Sequence, residues 1–198
     1  MSAISTTVPT PEPPWTLPSR GKTGMFCLIF AESAIFTIFV VAYIFYLGKS
    51  LTGPTPAEIL RLPIFDTICL LSSSLTIHAA VSALRRGNSK MFLLWWGFTL
   101  ALGLKFIEGT ASDWHEMIYR EGFSIKTNLF GTTYYSLVGL HASHVIVGLL
   151  GLSLVFLLAL AGKVKTQHAD RCEVFSLYWH FVDAVWVVVF TVVYVIGR

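Results

Sequence analysis

An all-α, polytopic membrane bundle of five transmembrane helices is the fold this sequence predicts, and three observations predict it. The 198 residues are 55% hydrophobic and only 13% charged, with a mean hydropathy of +0.69, whereas soluble domains carry roughly 25% charged residues. Five apolar stretches each supply about 20 or more residues, enough to cross a ~30 Å hydrocarbon core at 1.5 Å rise per residue. The alternating pattern of barrel strands is absent, and backbone in hydrocarbon must satisfy its own hydrogen bonds, so these stretches read as helices. A cytosolic globular enzyme is excluded. The net charge of +3 and the lack of any basic run longer than Arg85-Arg86 give no sign of a nucleic-acid partner.

Residues 1–23 form a Pro-rich tail, expected to be cytoplasmic, holding Pro9, Pro11, Pro13, Pro14 and Pro18 of the eight prolines. It has no periodicity and no signal-peptide pattern, so an extended or disordered course is expected. Residues 24–198 form the five-helix domain. Its first apolar segment, 24–47, contains Glu32. The second, 64–84, is the least apolar, with Asp66, Ser72, Ser73, Ser74, Thr76 and His78, a composition suited to close helix contact. The third spans 91–111. The fourth, 130–161, exceeds what a crossing needs and should tilt or emerge from the membrane. The fifth spans 176–196. His115 and His168 fall in the intervening loops. Trp95, Trp96, Trp114 and Trp179 lie near segment ends, where an interfacial belt would put them. Cys27, Cys69 and Cys172 are odd in number and read as small hydrophobes. Basic residues crowd the ends facing the N-terminal side (Arg20, Lys22, Arg85, Arg86, Lys90, Lys163, Lys165, Arg171), which places the N-terminus inside and the C-terminus outside.

Charged and polar residues inside a span face protein or water rather than lipid. Glu32, eight residues into the first segment, reads either as a proton-handling carboxylate or as a group hydrogen-bonded to a neighbouring helix. His141 and His144 are three apart and share a face of the fourth helix. Gly148 and Gly151 continue that face and permit a close neighbour. His180 and Asp183 have the same spacing on the fifth. Such a set could hold one zinc or non-haem iron or could tie helices together. The histidines are too few for a di-iron cluster, and the fourth-helix pair points one way rather than across a macrocycle, so the ties are the favoured reading. Phosphate-cradling, nucleophile-elbow and Cys-x-x-Cys motifs are missing, as are the paired broken helices of transporters.

Gly139-Leu140-His141-Ala142-Ser143-His144-Val145-Ile146-Val147-Gly148 and Tyr178-Trp179-His180-Phe181-Val182-Asp183-Ala184-Val185-Trp186 resemble two signature helices of subunit III of the haem-copper respiratory oxidases. Gly24-Met25-Phe26 with Glu32, Leu70-Leu71-Ser72-Ser73, Gly131-Thr132-Thr133-Tyr134 and Glu173 are further matches, and the likeness covers about residues 20–198 in the five-helix bacterial form. Asp66 stands where the family usually has Asn, and Thr110-Ala111-Ser112-Asp113-Trp114 replaces its Gln-x-x-Glu-Tyr. The resemblance implies a non-catalytic subunit of a proton-pumping cytochrome c oxidase in a bacterial plasma membrane. A quinol oxidase or the related subunit of a nitric oxide reductase is the alternative. It also implies that haem and copper sit in partner subunits I and II, that subunit I is the main contact, and that this chain binds phospholipid in a cleft and supports oxygen access and sustained turnover. A respiratory supercomplex is a possible setting. The buried polar, proton or lipid-cleft candidates are then Glu32, His78, His141, His144, Glu173, His180 and Asp183, with no catalytic or metal-ligating residue among them.

Overall fold

Ser19 starts the first helix: its Oγ accepts the Lys22 amide at 3.4 Å, and α1 runs Arg20–Tyr46. The helix therefore begins before the apolar segment does, because its cap lies upstream of the greasy residues. The computed structural model describes residues 19–50 and 53–197, and the Pro-rich stretch of residues 1–18 lies outside them. A single-turn helix, α2 (Pro56–Ile59), interrupts the linker that follows. The remaining spans are α3 (Ile64–Arg85), α4 (Ser89–Tyr119), α5 (Leu129–Leu160) and α6 (Ala169–Phe190), the last prolonged by a π-helical segment, Thr191–Ile196. Among the described residues five helices are long and apolar enough to cross a membrane.

Side-chain caps account for the starts of α4 and α5. Asn88 accepts the Met91 amide at 3.1 Å, and Asn128 accepts the Gly131 amide at 2.8 Å. With 31 residues, α4 reaches about 46 Å at 1.5 Å per residue, so His115 lies on its projecting last turns rather than in a loop. The α3–α4 connection is only Arg86-Gly87-Asn88. Gly87 takes φ +75°, a left-handed conformation that closes the end of α3 without steric cost.

The α3–α4 hairpin is the most extensive pairing in the molecule, and α6 lies against α3 and α5. Trp179 of α6 is the central wedge. It is fully buried, and its Nε1 donates to Ser73 Oγ of α3 at 2.7 Å. Its ring rests on Gly148 of α5 and Gly103 of α4, where a Cβ would lie 2.9 Å from ring atoms. Gly151 is covered in the same way by Phe175, at 3.0 Å. Trp96 is equally buried and donates to the Leu152 carbonyl at 2.9 Å. Trp96 and Trp179 are therefore core residues, not belt residues, because their indole N–H groups find partners on other helices. By contrast α1 buries only Phe36 and Tyr43 and touches the bundle through α5 and α6.

Candidate functional site

The predicted polar residues fall into two centres, with Glu173 in an ion-pair cluster and His78 in a cleft beside the second, and with His141 alone. The first centre joins α1 to α5. Glu32 Oε2 lies 3.1 Å from His144 Nε2, with the side chains 23% and 15% exposed. The other ring nitrogen, Nδ1, is 2.8 Å from the Leu140 carbonyl. A carbonyl only accepts, so Nδ1 carries hydrogen, and one proton is left to be shared between Nε2 and the carboxylate. The Tyr178 hydroxyl donates to the His144 carbonyl at 3.2 Å and lines, with Leu28 and Val147, a cleft of about 240 Å³ at this pair.

The second centre joins α3 to α6. Ser74 donates to Asp183 Oδ2 and also lies 2.9 Å from His180 Nδ1. Ser176 Oγ is 3.1 Å from the opposite ring nitrogen. Asp183 is thus held by a serine on another helix, and it reaches His180 through that serine rather than directly. His144 is not its partner, because that ring is turned to α1. At the nearby helix ends, Glu173 Oε2 is 2.7 Å from both Lys22 Nζ and Arg85, drawing α1, α3 and α6 together.

His141 stands apart from both centres, whereas His78 belongs to the cleft beside His180. His141 is fully buried, and neither ring nitrogen has a hydrogen-bond partner; its ring stacks on Trp186 at 4.9 Å and meets Phe106 edge-on. Its role in the core is aromatic, which corrects the expectation of a hydrogen-bonded tie. His78 is exposed on α3 and lines a cleft between α3 and α6. Among the described residues no group of three or more His, Cys, Asp or Glu is placed to hold a metal ion.

Several participants escape a reading that looks for charges. Ser74 is a single hydroxyl whose importance depends on what α6 brings, and Ser176 is one that meets His180 one turn along its own helix. Asp66, on the first turn of α3, lays its carboxylate against the backbone of Gly109, where no Cβ could fit. The run of small hydroxyl residues in the second segment was the available signal for Ser73 and Ser74, whose partners lie on α6.

Five spans with polar centres tied between helices define a polytopic membrane subunit. Comparison with known proteins takes the assignment to a family. The model of cytochrome c oxidase subunit III matches residues 19–198. Cytochrome c oxidase subunit 3 of Alkalihalophilus pseudofirmus is 32% identical, over 98% of this chain and 97% of that protein. The protein of the same description from Synechocystis is 36% identical over 90% of this chain and 77% of its own length. Cytochrome bo(3) ubiquinol oxidase subunit 3 of Pseudomonas aeruginosa is 32% identical over 90% of this chain and 87% of that protein. The chain belongs to the cytochrome c oxidase subunit III family, and it is a membrane component of a respiratory oxidase.

Proposed function

We propose that the chain is the non-catalytic subunit III of a proton-pumping haem-copper terminal oxidase, supporting lipid and oxygen access and sustained turnover. The observation that carries this reading is the family match over residues 19–198, which takes in all five spans. Haem and copper then belong to subunits I and II, with subunit I the main contact. The grooves of the fold agree with a lipid-facing role. Phe36, Val40, Phe181 and Val185 line an apolar cleft of about 300 Å³ between α1 and α6, suited to an acyl chain or dissolved oxygen. The basic helix ends at Lys22, Arg85 and Lys163 favour an N-terminus inside and a C-terminus outside the bacterial plasma membrane.

Affinity capture of the tagged chain from detergent-solubilised membranes tests the reading. A haem-containing subunit should co-purify, and its absorption spectrum and metal content should remain with the partner when this chain is stripped away. The stripped complex should start turnover at its normal rate and lose activity sooner. Stoichiometric metal on the isolated chain, or a stripped complex unable to begin turnover, overturns the proposal. A quinol-oxidising complex is the second reading, favoured by the 32% identity to a ubiquinol oxidase subunit 3. A co-purifying partner with a binuclear-copper domain selects cytochrome c as donor, and one without it selects quinol.

A further inference from the structure

The hydrogen bonds around His180 have a direction. Ser74 gives its only hydroxyl proton to Asp183 Oδ2, so toward His180 Nδ1, 2.9 Å away, its oxygen can only accept. Nδ1 therefore carries hydrogen. In the neutral ring Nε2 is then bare, and it accepts from the Ser176 hydroxyl at 3.1 Å. All donors point the same way, from Ser176 through His180 and Ser74 to Asp183.

The two ends of this chain differ. Ser176 and His180 line a cleft of about 310 Å³ together with His78, Ser82, Arg85 and Glu173, and Arg85 is half-exposed at its mouth. Asp183 is 3% exposed, and its Oδ1 has no partner. Ten residues of α6 separate Glu173 from Asp183, about 15 Å along the axis, or half of a ~30 Å hydrocarbon core. One turn beyond Asp183, Trp186 is packed edge-on to Phe106 at 4.8 Å and stacked on His141, so an aromatic layer closes the far side. The charged and titratable groups around His180 are His78 and Arg85 from α3, Glu173 and Asp183 from α6, and Lys22 of α1, which is held on Glu173.

We propose that Ser176, His180, Ser74 and Asp183 form a one-sided proton-loading site, through which Asp183 exchanges a proton with water in the α3/α6 cleft. A hydronium ion or buffer acid in the cleft protonates His180 Nε2 as the Ser176 hydroxyl turns aside. The Nδ1–H bond breaks as its proton passes to Ser74 Oγ, and the original Ser74 proton passes to Asp183 Oδ2. His180 ends neutral with its hydrogen on Nε2, Asp183 ends as a carboxylic acid, one proton has left the cleft, and no electron has moved. Imidazole suits the middle position because it accepts at one nitrogen while releasing at the other. The site does not depend on the electron donor of the complex.

The test is infrared difference spectroscopy of the intact oxidase complex, reconstituted in vesicles and subjected to pH jumps. Acidifying the Arg85 face should raise a carboxylic-acid carbonyl band that shifts with ¹³C-aspartate labelling and is missing in Asp183→Asn. Ser74→Ala, with subunit composition intact, should slow its rise by about 100-fold, the scale of a positioned proton-transfer group, and Ser74→Thr should restore it. If either variant fails to assemble, His180→Gln, which removes the ring that accepts at one nitrogen and releases at the other, takes its place and should slow the rise on the same scale. The proposal is overturned by a wild-type complex lacking the aspartate band, by a band that follows only the opposite face, or by Ser74→Ala, or His180→Gln in its place, loading at the wild-type rate.

Discussion

Gly148→Ala probes a close helix contact, the one between α5 and the buried indole of α6. The added Cβ would lie 2.9 Å from Cε3 and Cζ3 of Trp179 and 3.3 Å from Cε1 of Tyr178, inside ordinary van der Waals distance. The indole has little room to retreat. Its Nε1 is fixed on Ser73 at 2.7 Å, and its far edge faces Gly103, where a Cβ would again be 2.9 Å away. Overpacking of this kind costs about 1–3 kcal/mol, offset by the roughly 1 kcal/mol that alanine gains over glycine within a helix. The net loss is then up to about 2 kcal/mol, a fall in melting temperature of several degrees at ~2–4 °C per kcal/mol for a chain of this size. Trp179→Phe frees the space beside Gly148, so in that background Gly148→Ala should be neutral or stabilising. Reversible unfolding in detergent, followed by circular dichroism across the four-member cycle, measures this sign change. An equal penalty for Gly148→Ala in both backgrounds refutes the reasoning, because the cost would then not arise at the indole.

Other outcomes follow from the same geometry. Asp183→Ala strips the Ser74 hydroxyl of a buried acceptor and should weaken assembly by ~1–3 kcal/mol, checked by melting temperature and by subunit composition of the purified complex. Glu32→Gln keeps a hydrogen bond to His144 but removes the shared proton, so assembly should persist while activity during prolonged turnover changes; a normal lifetime under sustained turnover contradicts this. Asn128→Ala removes the cap of α5 and should cost about 0.5–2 kcal/mol in a thermal melt. Glu173→Gln loosens Lys22 and Arg85 at a partly exposed site, an effect of at most ~1 kcal/mol that should shrink as salt is raised.

Helix number and approximate limits were legible because hydrocarbon leaves the backbone only one local solution, and hydropathy reports the crossing directly. The limits that shifted did so where polar chemistry extends a helix past its apolar stretch: Ser19 starts α1 early, and α4 runs through His115 to Tyr119. The small face of α5 was legible as well, since Gly148 and Gly151 have no other use at that spacing. Pairings were harder. Nothing local distinguishes His144, turned to Glu32, from His141, sealed among aromatic rings, although one helical turn separates them. Ser74 acquires its meaning only when α3 and α6 meet. Tryptophans near segment ends looked interfacial because position along a segment says nothing about which way the ring turns, and Trp96 and Trp179 turn inward.

The three-residue bend Arg86-Gly87-Asn88 has a consequence for how the molecule is made. A connection so short keeps the ends of α3 and α4 together, so the two are expected to settle in the bilayer as a paired hairpin. Alone, α3 would carry Ser72, Ser73, Ser74 and Thr76 into hydrocarbon. Paired, it has Thr76 beside Thr99 of α4 at 2.7 Å from the start. The hydroxyl-rich span thus crosses under the cover of its successor, and what remains bare on it is the stripe that α6, synthesised later, arrives to occupy.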